Sequence, residues 1–163
     1  MVQWYVVRTK PHQELLAWVN LERQRYQCFC PQVKHWRIRY GKRQLCEAAF
    51  FPGYLFIRLD LASMNTAPIR STRGVSGLVS FGSCIMPVPE DVINVIRMRI
   101  SDDGFITGEQ SDFICGQEVH VEDGPMTGID AIFKAKKGED RALLLLNILG
   151  GQREVEVPIT TLQ

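Results

Sequence analysis

The sequence predicts an α+β protein with two units: an N-terminal antiparallel sheet flanked by helices, and a smaller C-terminal unit. Strand-like and helix-like patterns alternate over residues 1–100. Residues 101–112, SDDGFITGEQSD, are polar and acidic with two glycines, as is typical of a linker. The remaining unit, residues 113–163, contains a leucine-rich helical pattern followed by REVEV, which alternates like a strand. Two folds are therefore compatible with it.

The chain begins with a predicted strand and helix. QWYVVR at 3–8 alternates polar and apolar residues, which predicts a strand, and Pro11 suits the first position of a helix. The apolar residues of this helix recur near helical spacing, at Leu15, Trp18, Val19 and Tyr26.

A β-hairpin is predicted next. KHWRIRY at 34–40 alternates, which places Trp36, Ile38 and Tyr40 on one face and His35, Arg37 and Arg39 on the other. GKR at 41–43 is expected to turn the chain into QLCEA. The hairpin would carry a basic tip.

The second half of the N-terminal unit adds two strands and a helix. GYLFIRLD at 53–60 separates Leu55, Ile57 and Leu59 from Tyr54, Phe56 and Arg58. TRGVSGLVSF at 72–81 is typical of a turn followed by a strand. PEDVINVIRMRI at 89–100 is a helix with Pro89 first and its apolar stripe on Val92, Ile93, Ile96 and Ile100.

Composition indicates a folded cytoplasmic protein. Of 163 residues, 45% are hydrophobic, and no apolar run approaches the roughly 20 residues needed to span a bilayer. The N-terminus lacks the pattern of a signal peptide. The five cysteines contain no C-x-x-C, which favours reduced thiols over a disulfide framework. We expect a monomer with no membrane partner.

Charge is strongly segregated although the net charge is only +1. Residues 1–43 contain nine Lys/Arg and two acids, whereas residues 101–163 contain five Lys/Arg and twelve acids. The basic part is suited to phosphate. The acidic part is repelled by nucleic acid and is complementary to the basic part when no nucleic acid is bound.

Catalysis is not indicated. The three histidines, His12, His35 and His120, are far apart in sequence, and no phosphate-binding loop, nucleophile elbow, metalloprotease motif or paired-carboxylate motif is present. The CFC at 28–30 favours buried packing over a metal site. We therefore expect neither an enzyme nor a bound cofactor or metal.

Basic and polar residues of the first helix and hairpin are instead suited to tracking a phosphate backbone, with Arg70, Thr72 and Arg73 adding donors from a turn. The aromatic pair Tyr54 and Phe56 has two interpretations. Both side chains are core, or both form a protein-docking patch of hot-spot residue types.

Several motifs together resemble the NusG superfamily of transcription elongation factors. They are WYVV at 4–7, FFPGYLFIRLD at 50–60, TRGVSGLVSFG at 72–82 and a glycine-spaced segment at 116–132 that resembles a KOW motif. LERQ at 21–24, RYGKR at 39–43 and LLLLN at 143–147 are most similar to the operon-specific antiterminators of that superfamily. The resemblance covers nearly the whole chain.

The resemblance implies an N-terminal NGN-type domain over residues 1–100 that binds the clamp helices of RNA polymerase and suppresses pausing and termination. The polymerase-binding depression would be lined by Phe51, Tyr54, Phe56, Ile93 and Ile96. Contact with the polymerase gate loop would fall to Thr66, whose neighbours Asn65, Ala67 and Pro68 depart from the family pattern.

The same resemblance implies recognition of the non-template DNA strand at an ops-type pause element. The residues carried over are Lys10, Gln13, Gln24, Thr72 and Arg73, and charge adds Arg25. Leu16 and Asn20 stand where the antiterminators have a basic residue and a histidine.

For the C-terminal KOW domain, residues 113–163, the resemblance implies two folds. The first is an α-helical hairpin that covers the polymerase site in the free protein, with helices expected at about 115–130 and 135–153. The second is a five-stranded β-barrel that forms when the domain is released and recruits a small-subunit ribosomal protein. The interdomain residues would be Glu47, Phe133, Arg141, Leu144, Leu145 and Ile148. Ala48 occupies the family's glutamate position, so an Arg141 salt bridge requires Glu47 to replace it or is absent.

Two alternatives remain open at this stage. One is a general NusG-like elongation factor whose C-terminal domain is always β. The other is a ribosome-associated RNA-binding module, because KOW domains and basic hairpins also occur there. Circular dichroism of the separated C-terminal unit distinguishes the first, and crosslinking to ribosomal RNA the second.

Overall fold

The structure, a computed structural model, describes residues 1–106, 125–135 and 137–150, with only the backbone for residues 125–128. In chain order its elements are β1 (Gln3–Thr9), α1 (Glu14–Arg23), β2 (Gln27–Phe29), β3 (Gln32–Arg39), β4 (Lys42–Ala49), β5 (Tyr54–Leu59), α2 (Ala67–Arg70), β6 (Val75–Leu78), α3 (Glu90–Met98), β7 (Phe105–Ile106), α4 (Pro125–Lys134) and α5 (Gly138–Gly150). The predicted α+β class is confirmed for the N-terminal unit.

The central sheet has the order β2-β5-β1-β6, and each neighbouring pair is antiparallel. Val6 pairs with Phe56 and Val7 with Leu55. Because successive residues of a strand point to opposite faces, Val6 and Phe56 share one face and Val7 and Leu55 the other. We call them the α3 face and the α1 face, after the helices packed against them.

Helix α1 covers the α1 face, although only Trp18 and Tyr26 of its apolar pattern pack there. It begins at Glu14 instead of Pro11, because His12 adopts a left-handed conformation with φ +59° in the preceding turn. Its buried residues are Ala17 and Leu21, whereas Leu15 and Val19 are about half exposed, at 51% and 46%. A Cβ on Gly74 would lie 2.9 Å from the Ala17 nitrogen. The close approach of the turn at Gly74 to Ala17 sets the orientation of α1.

Strands β3 and β4 form the predicted hairpin, joined by Tyr40 and Gly41. Both residues have positive φ, +51° and +70°, as a two-residue type I′ turn requires. The predicted turn at 41–43 is therefore wrong, since Lys42 and Arg43 belong to β4. At its base, β3 pairs in parallel with β7, which lies within the segment predicted as a linker.

Both faces of β5 are buried. Leu55, Ile57 and Leu59 are at most 1% exposed on the α1 face, and Phe56 is 1% exposed on the α3 face. Helix α3 packs on that second face through Val92, Ile93 and Ile96, as predicted. Pro89 lies at the N-cap, one residue before the helix, instead of in its first turn.

Two helices lie in the described part of the C-terminal unit. Helix α4 continues to Lys134 instead of ending at 130, because the Ala135 N–H still donates to the Ala131 carbonyl. Helix α5 begins at Gly138, and its first turn includes a hydrogen bond from the Arg141 N–H to the Lys137 carbonyl. Residues 115–124 and 151–153 of the predicted helices lie outside the described residues. Within the described ranges, no helix combines the length and apolarity needed to cross a bilayer.

Candidate functional site

The five residues predicted to bind polymerase form one apolar cluster on the α3 face. Phe51, Phe56, Ile93 and Ile96 are at most 1% exposed, and Tyr54 packs against them half-buried. The rings of Phe51 and Phe56 meet edge to face, with centroids 5.7 Å apart. Aromatic clusters of this kind contribute strongly to both cores and interfaces.

Helices α4 and α5 cover this cluster. Ile129 and Ile132 of α4 and Leu145 and Leu149 of α5 are buried in it. The other predicted interdomain residues of these helices, Phe133, Leu144 and Ile148, pack against it partly buried. In this conformation a second molecule has no access to the apolar cluster.

Phe133 joins the cover to the N-terminal unit through two ring contacts. Its centroid lies 5.6 Å from that of Phe50, and the Arg99 guanidinium carbon lies 4.7 Å from the Phe133 centroid. The second distance is typical of a cation–π contact. Phe133 therefore contacts both an aromatic and a cationic group of the N-terminal unit.

Arg141 makes a buried polar contact between the units. It is 8% exposed; its Nε donates to the Phe50 carbonyl at 2.7 Å, and one terminal nitrogen donates to the Ala135 carbonyl at 3.1 Å. Its guanidinium carbon lies 4.4 Å from the Phe50 ring centroid. Burial lowers the pKa of Arg141, although nearby Asp140 opposes that shift. An arginine pKa is high enough for the group to stay charged.

Glu47 does not occupy the predicted position beside Arg141. It is exposed on β4 and pairs with Lys34 in the hairpin register. The strand alternation places Glu47 and Ala48 on opposite faces, so the neighbouring carboxylate does not replace the family's glutamate. The contacts of Arg141 include instead two backbone carbonyls and an aromatic ring.

Gly138 lets α5 approach the N-terminal unit closely. A Cβ at this position would lie 2.5 Å from Cγ and 2.8 Å from Cδ of Pro52. Any side chain would therefore collide with the proline ring. Glycine at the start of α5 is required by the contact with Pro52, at some cost in helix propensity.

The predicted DNA-binding residues gather where α1 meets the turn at 72–74. The Gln24 side-chain amide donates to the Thr72 hydroxyl at 2.7 Å, and the Asn20 amide donates to the Arg73 carbonyl at 3.2 Å. The Lys10 N–H donates to the Gly74 carbonyl at 2.9 Å. These bonds hold the two segments in a fixed relation.

Of this set, Lys10, Gln24, Arg25 and Arg73 are exposed, Gln13 is half-buried and Thr72 is 6% exposed. Arg25 has φ +68°, which directs the chain away from α1. Thr72 contacts Gln24 and the Pro68 carbonyl, so it orients a neighbour more than it presents its own hydroxyl. Thr66 is half-buried directly before α2.

Sequence reasoning missed several residues of the covered surface. Phe50, Ile129, Ile132 and Leu149 belong to the buried cluster, and Pro52 contacts Gly138. The spacing of Ile129 and Ile132, and of Leu145 and Leu149, is that of one helix face and would have identified three of them. The roles of Phe50 and Pro52 depend on tertiary contacts that no local pattern reveals.

The two cysteines of the CFC segment have thiols of low reactivity. Cys28 and Cys30 both pack in the cluster on the α1 face. Burial, with the nearby carboxylates Glu22 and Glu14, raises the pKa of each thiol to about 12. Thiols with such values remain protonated and are poor nucleophiles or metal ligands.

These features are typical of a protein that binds other macromolecules: a covered apolar cluster, an arginine contact between two units, and a polar surface on a basic N-terminal unit. The family model described as transcription termination factor nusG matches residues 2–97, more than half of the chain. The chain belongs to the NusG family of transcription termination and antitermination factors.

Several curated relatives are transcription termination/antitermination proteins NusG. Those of Streptomyces galbus and Streptomyces griseus are 25% and 24% identical over 99% of this chain, which spans 59% and 64% of their lengths. That of Thermus thermophilus is 26% identical over 96% of this chain and 95% of its own. A solved structure of domain interaction in Thermotoga maritima NusG matches 59% of this chain and 55% of that chain, with 23% identity and a TM-score of 0.42.

Proposed function

We propose that this protein is an operon-specific transcription antiterminator of the RfaH type. The N-terminal unit binds the clamp helices of RNA polymerase through Phe51, Tyr54, Phe56, Ile93 and Ile96, and suppresses pausing and termination. The observation that carries the proposal is the burial of those residues beneath α4 and α5. One apolar surface cannot contact both the cover and a polymerase.

The closed arrangement then acts as autoinhibition. Binding to polymerase requires α4 and α5 to leave, and a ligand shifts this equilibrium only by its differential affinity for the open state. A DNA element exposed on a paused polymerase supplies that differential affinity, because it binds the open state more tightly. Activity is thereby restricted to operons that carry the element.

DNA recognition uses the surface at α1 and the 72–74 turn. Lys10, Arg25 and Arg73 contact phosphates and bases of the non-template strand at an ops-type element, while Gln13 and Gln24 supply amide donors and acceptors. The Gln24–Thr72 hydrogen bond supports this role, because it orients a base-reading side chain before DNA arrives. Thr66 contacts the polymerase gate loop.

The released C-terminal unit refolds as a five-stranded KOW β-barrel and binds a small-subunit ribosomal protein, which couples transcription to translation. The described helices α4 and α5 and the strand-like REVEV at 153–157 support two states of similar energy. Fold switching of this kind requires two packings that differ by only a few kcal/mol.

Single-round transcription tests the proposal. Polymerase paused at an ops-type sequence should resume faster with the protein, whereas polymerase at an unrelated pause should not respond. Arg73→Gln should abolish the difference at the ops-type pause, and exposed Met98→Ala on α3 is the matched control. Equal suppression at both pauses would rule out operon specificity.

The second candidate is a general NusG-like elongation factor with a permanently β C-terminal unit. The names of the curated relatives favour it. Cleaving the chain in the segment 107–112 and following far-UV circular dichroism separates the two. The RfaH-type proposal requires a loss of helix and a gain of strand after separation, and an unchanged spectrum supports the general factor.

A further inference from the structure

The hairpin tip, residues 35–46, presents unusual chemistry to solvent. Every residue from 35 to 45 is exposed. Its large apolar side chains are Trp36 at 52% exposure, Ile38 at 77%, Tyr40 at 97% and Leu45 at 49%. Contiguous exposed groups of this kind mark interaction sites more often than scattered single ones do.

The strand register separates the tip into two faces. Trp36 pairs with Leu45 and Ile38 with Arg43, so these residues share one apolar, aromatic face. Arg39 pairs with Lys42 and Arg37 with Gln44 on the other face, which is cationic. No acidic residue occurs between residues 35 and 46.

Packing within the hairpin explains part of the arrangement. Trp36 and Leu45 form a cross-strand pair, and the Arg43 guanidinium carbon lies 4.5 Å from the Trp36 ring centroid. Both contacts stabilise a two-stranded ribbon that is marginal in isolation. They account for the presence of Trp36 without any ligand.

Tyr40 has no such explanation. It lies in the turn, almost fully exposed, with φ +51°. Type I′ turns favour asparagine, aspartate or glycine at this position, and an aromatic residue there is strained. Strained and exposed residues are concentrated at ligand contacts.

We propose that the hairpin tip is a second nucleic-acid-binding element, which binds single-stranded DNA without sequence preference. Arg37, Arg39 and Lys42 contact phosphates, while bases stack on the exposed ring of Tyr40. Cations beside exposed aromatic rings are the combination that proteins use for single strands.

Single-stranded DNA is favoured over duplex DNA, because stacked bases inside a duplex present no free face to Tyr40. Arg43 shares the face of Trp36, Ile38 and Leu45 and is able to donate to a ribose 2′-hydroxyl, so the comparison with RNA is an outcome of the titration. The proposal does not depend on ops-type recognition, because the tip contacts phosphates and base faces of any sequence.

Anisotropy titrations of the intact protein test this, with a labelled mixed-sequence oligonucleotide of about 16 nucleotides, the upper end of common site sizes. The Arg73→Gln background weakens the surface at α1. Tyr40→Asn provides the Asn-Gly pair that type I′ turns favour, so it keeps the hairpin folded while it removes the ring. We expect it to weaken binding to single-stranded DNA about ten-fold.

The charge contribution is measured by salt dependence. Arg39→Gln combined with Lys42→Gln should reduce the slope of log affinity against log salt by about 1.4, or roughly 0.7 for each phosphate that the protein no longer neutralises. Lys134→Gln with Lys137→Gln removes two exposed charges elsewhere and should leave the slope unchanged. Thermal melting checks that all variants remain folded.

Each remaining outcome is decisive. Equal or tighter binding of the matched duplex or RNA overturns the assignment to single-stranded DNA. If neither Tyr40→Asn nor the double substitution changes the affinity for the oligonucleotide, the whole proposal is overturned. A loss of polymerase affinity in those variants would then identify a protein contact. Failure of ops-type selectivity alone would leave the tip's binding intact, so the two proposals fail separately.

Discussion

The two faces of the central sheet are both buried, but they are covered in different ways. The α1 face is covered by a helix that follows β1 after a short turn, and the Glu14 carboxylate of that helix accepts the Gly53 N–H at 2.8 Å. The α3 face is covered partly by α3 and partly by α4 and α5. Its second cover is remote in sequence, and Arg141 joins that cover to the Phe50 carbonyl.

The residues beneath the two covers also differ. The sheet residues of the α1 face are mainly aliphatic, whereas the α3 face presents Phe50, Phe51 and Phe56 to its cover. Aromatic residues, including Phe, are enriched in protein interfaces. Burial alone therefore does not distinguish a permanent core from a surface with an exchangeable cover; the length of the connection and the residue types do.

Matched truncations of two fully buried leucines test whether the two covers differ in this way. Leu21 on α1 and Leu145 on α5 are both 0% exposed. Leu21→Ala should lower the global free energy of unfolding by about 3 kcal/mol, the usual cost of such a cavity. Leu145→Ala should cost a similar amount locally, and we expect it to increase hydrogen exchange only in α4 and α5.

Urea unfolding and hydrogen exchange by mass spectrometry measure the two effects. If Leu145→Ala reduced protection in β1 and β5 as strongly as Leu21→Ala does, the second cover would be part of one cooperative core. The exchangeable-cover interpretation would then be untenable.

Removal of the Arg141 contact should open the cover specifically. Arg141→Gln loses a buried charged hydrogen bond to the Phe50 carbonyl, which is worth about 2 kcal/mol. Arg141→Lys should rescue little, because an ammonium cannot bridge the Phe50 and Ala135 carbonyls while it stacks on a ring. Faster exchange in α5 and tighter binding to core polymerase are the expected readouts, with exposed Lys137→Gln as the control.

Much of the fold is predictable because the relevant signals are local. The strand β5 and the α3 stripe of Val92, Ile93 and Ile96 follow directly from residue spacing, and the structure confirms both elements, although both faces of β5 are buried. Helix α1 is only partly predictable. Its orientation depends on the close approach of Gly74 to Ala17, which are far apart in sequence, so spacing alone does not show that Leu15 and Val19 are exposed.

The candidate site is likewise predictable from the sequence only in part. The resemblance to the NusG family identifies Phe51 and Phe56, and helical spacing points to Leu145. The Arg141 contact is not predictable, since its acceptor is a backbone carbonyl that carries no residue-specific signal. The turn at Tyr40 escapes prediction because a strained aromatic residue contradicts the usual turn preferences.

Gly138→Ala separates helix formation from docking of the helix. Alanine should favour α5 itself by up to about 1 kcal/mol. Its methyl group would nevertheless collide with Pro52, and overpacking of this kind costs about 1–3 kcal/mol. The variant should keep its helical circular dichroism and still open more readily than the native protein.

Gly150→Ala is the matched control for that experiment. A Cβ at Gly150 would lie 3.1 Å from Cε1 of half-buried Phe81, a looser contact than the 2.5 Å between a Cβ at Gly138 and Pro52. We expect a smaller change in opening, or none. Equal opening by the two variants would mean that the Pro52 contact does not hold the cover.

The smallest effect concerns the base of the hairpin, where β7 joins β3 shortly before the chain leaves towards its second cover. The Ser101 hydroxyl, Lys34 at 3.1 Å and the Phe105 N–H hold the Asp103 carboxylate, and they lower its pKa from 3.8 to about 2. Because the folded-state pKa is depressed, this contribution is complete above the ordinary pKa and is lost as the pH falls through about 2. The group is solvent-exposed, so its effect should be confined to β7.

Amide NMR of Phe105 and Ile106 during an acid titration measures this local effect. Asp103→Asn should weaken the protection of β7 at neutral pH and remove the acid transition there, because an amide does not titrate and attracts Lys34 less. The α1 face should be unaffected in both proteins, since the hydrogen bonds of Asp103 lie at the base of the hairpin. A transition that persists in the Asn variant would assign the acid response to another carboxylate and show that Asp103 does not control the protection of β7.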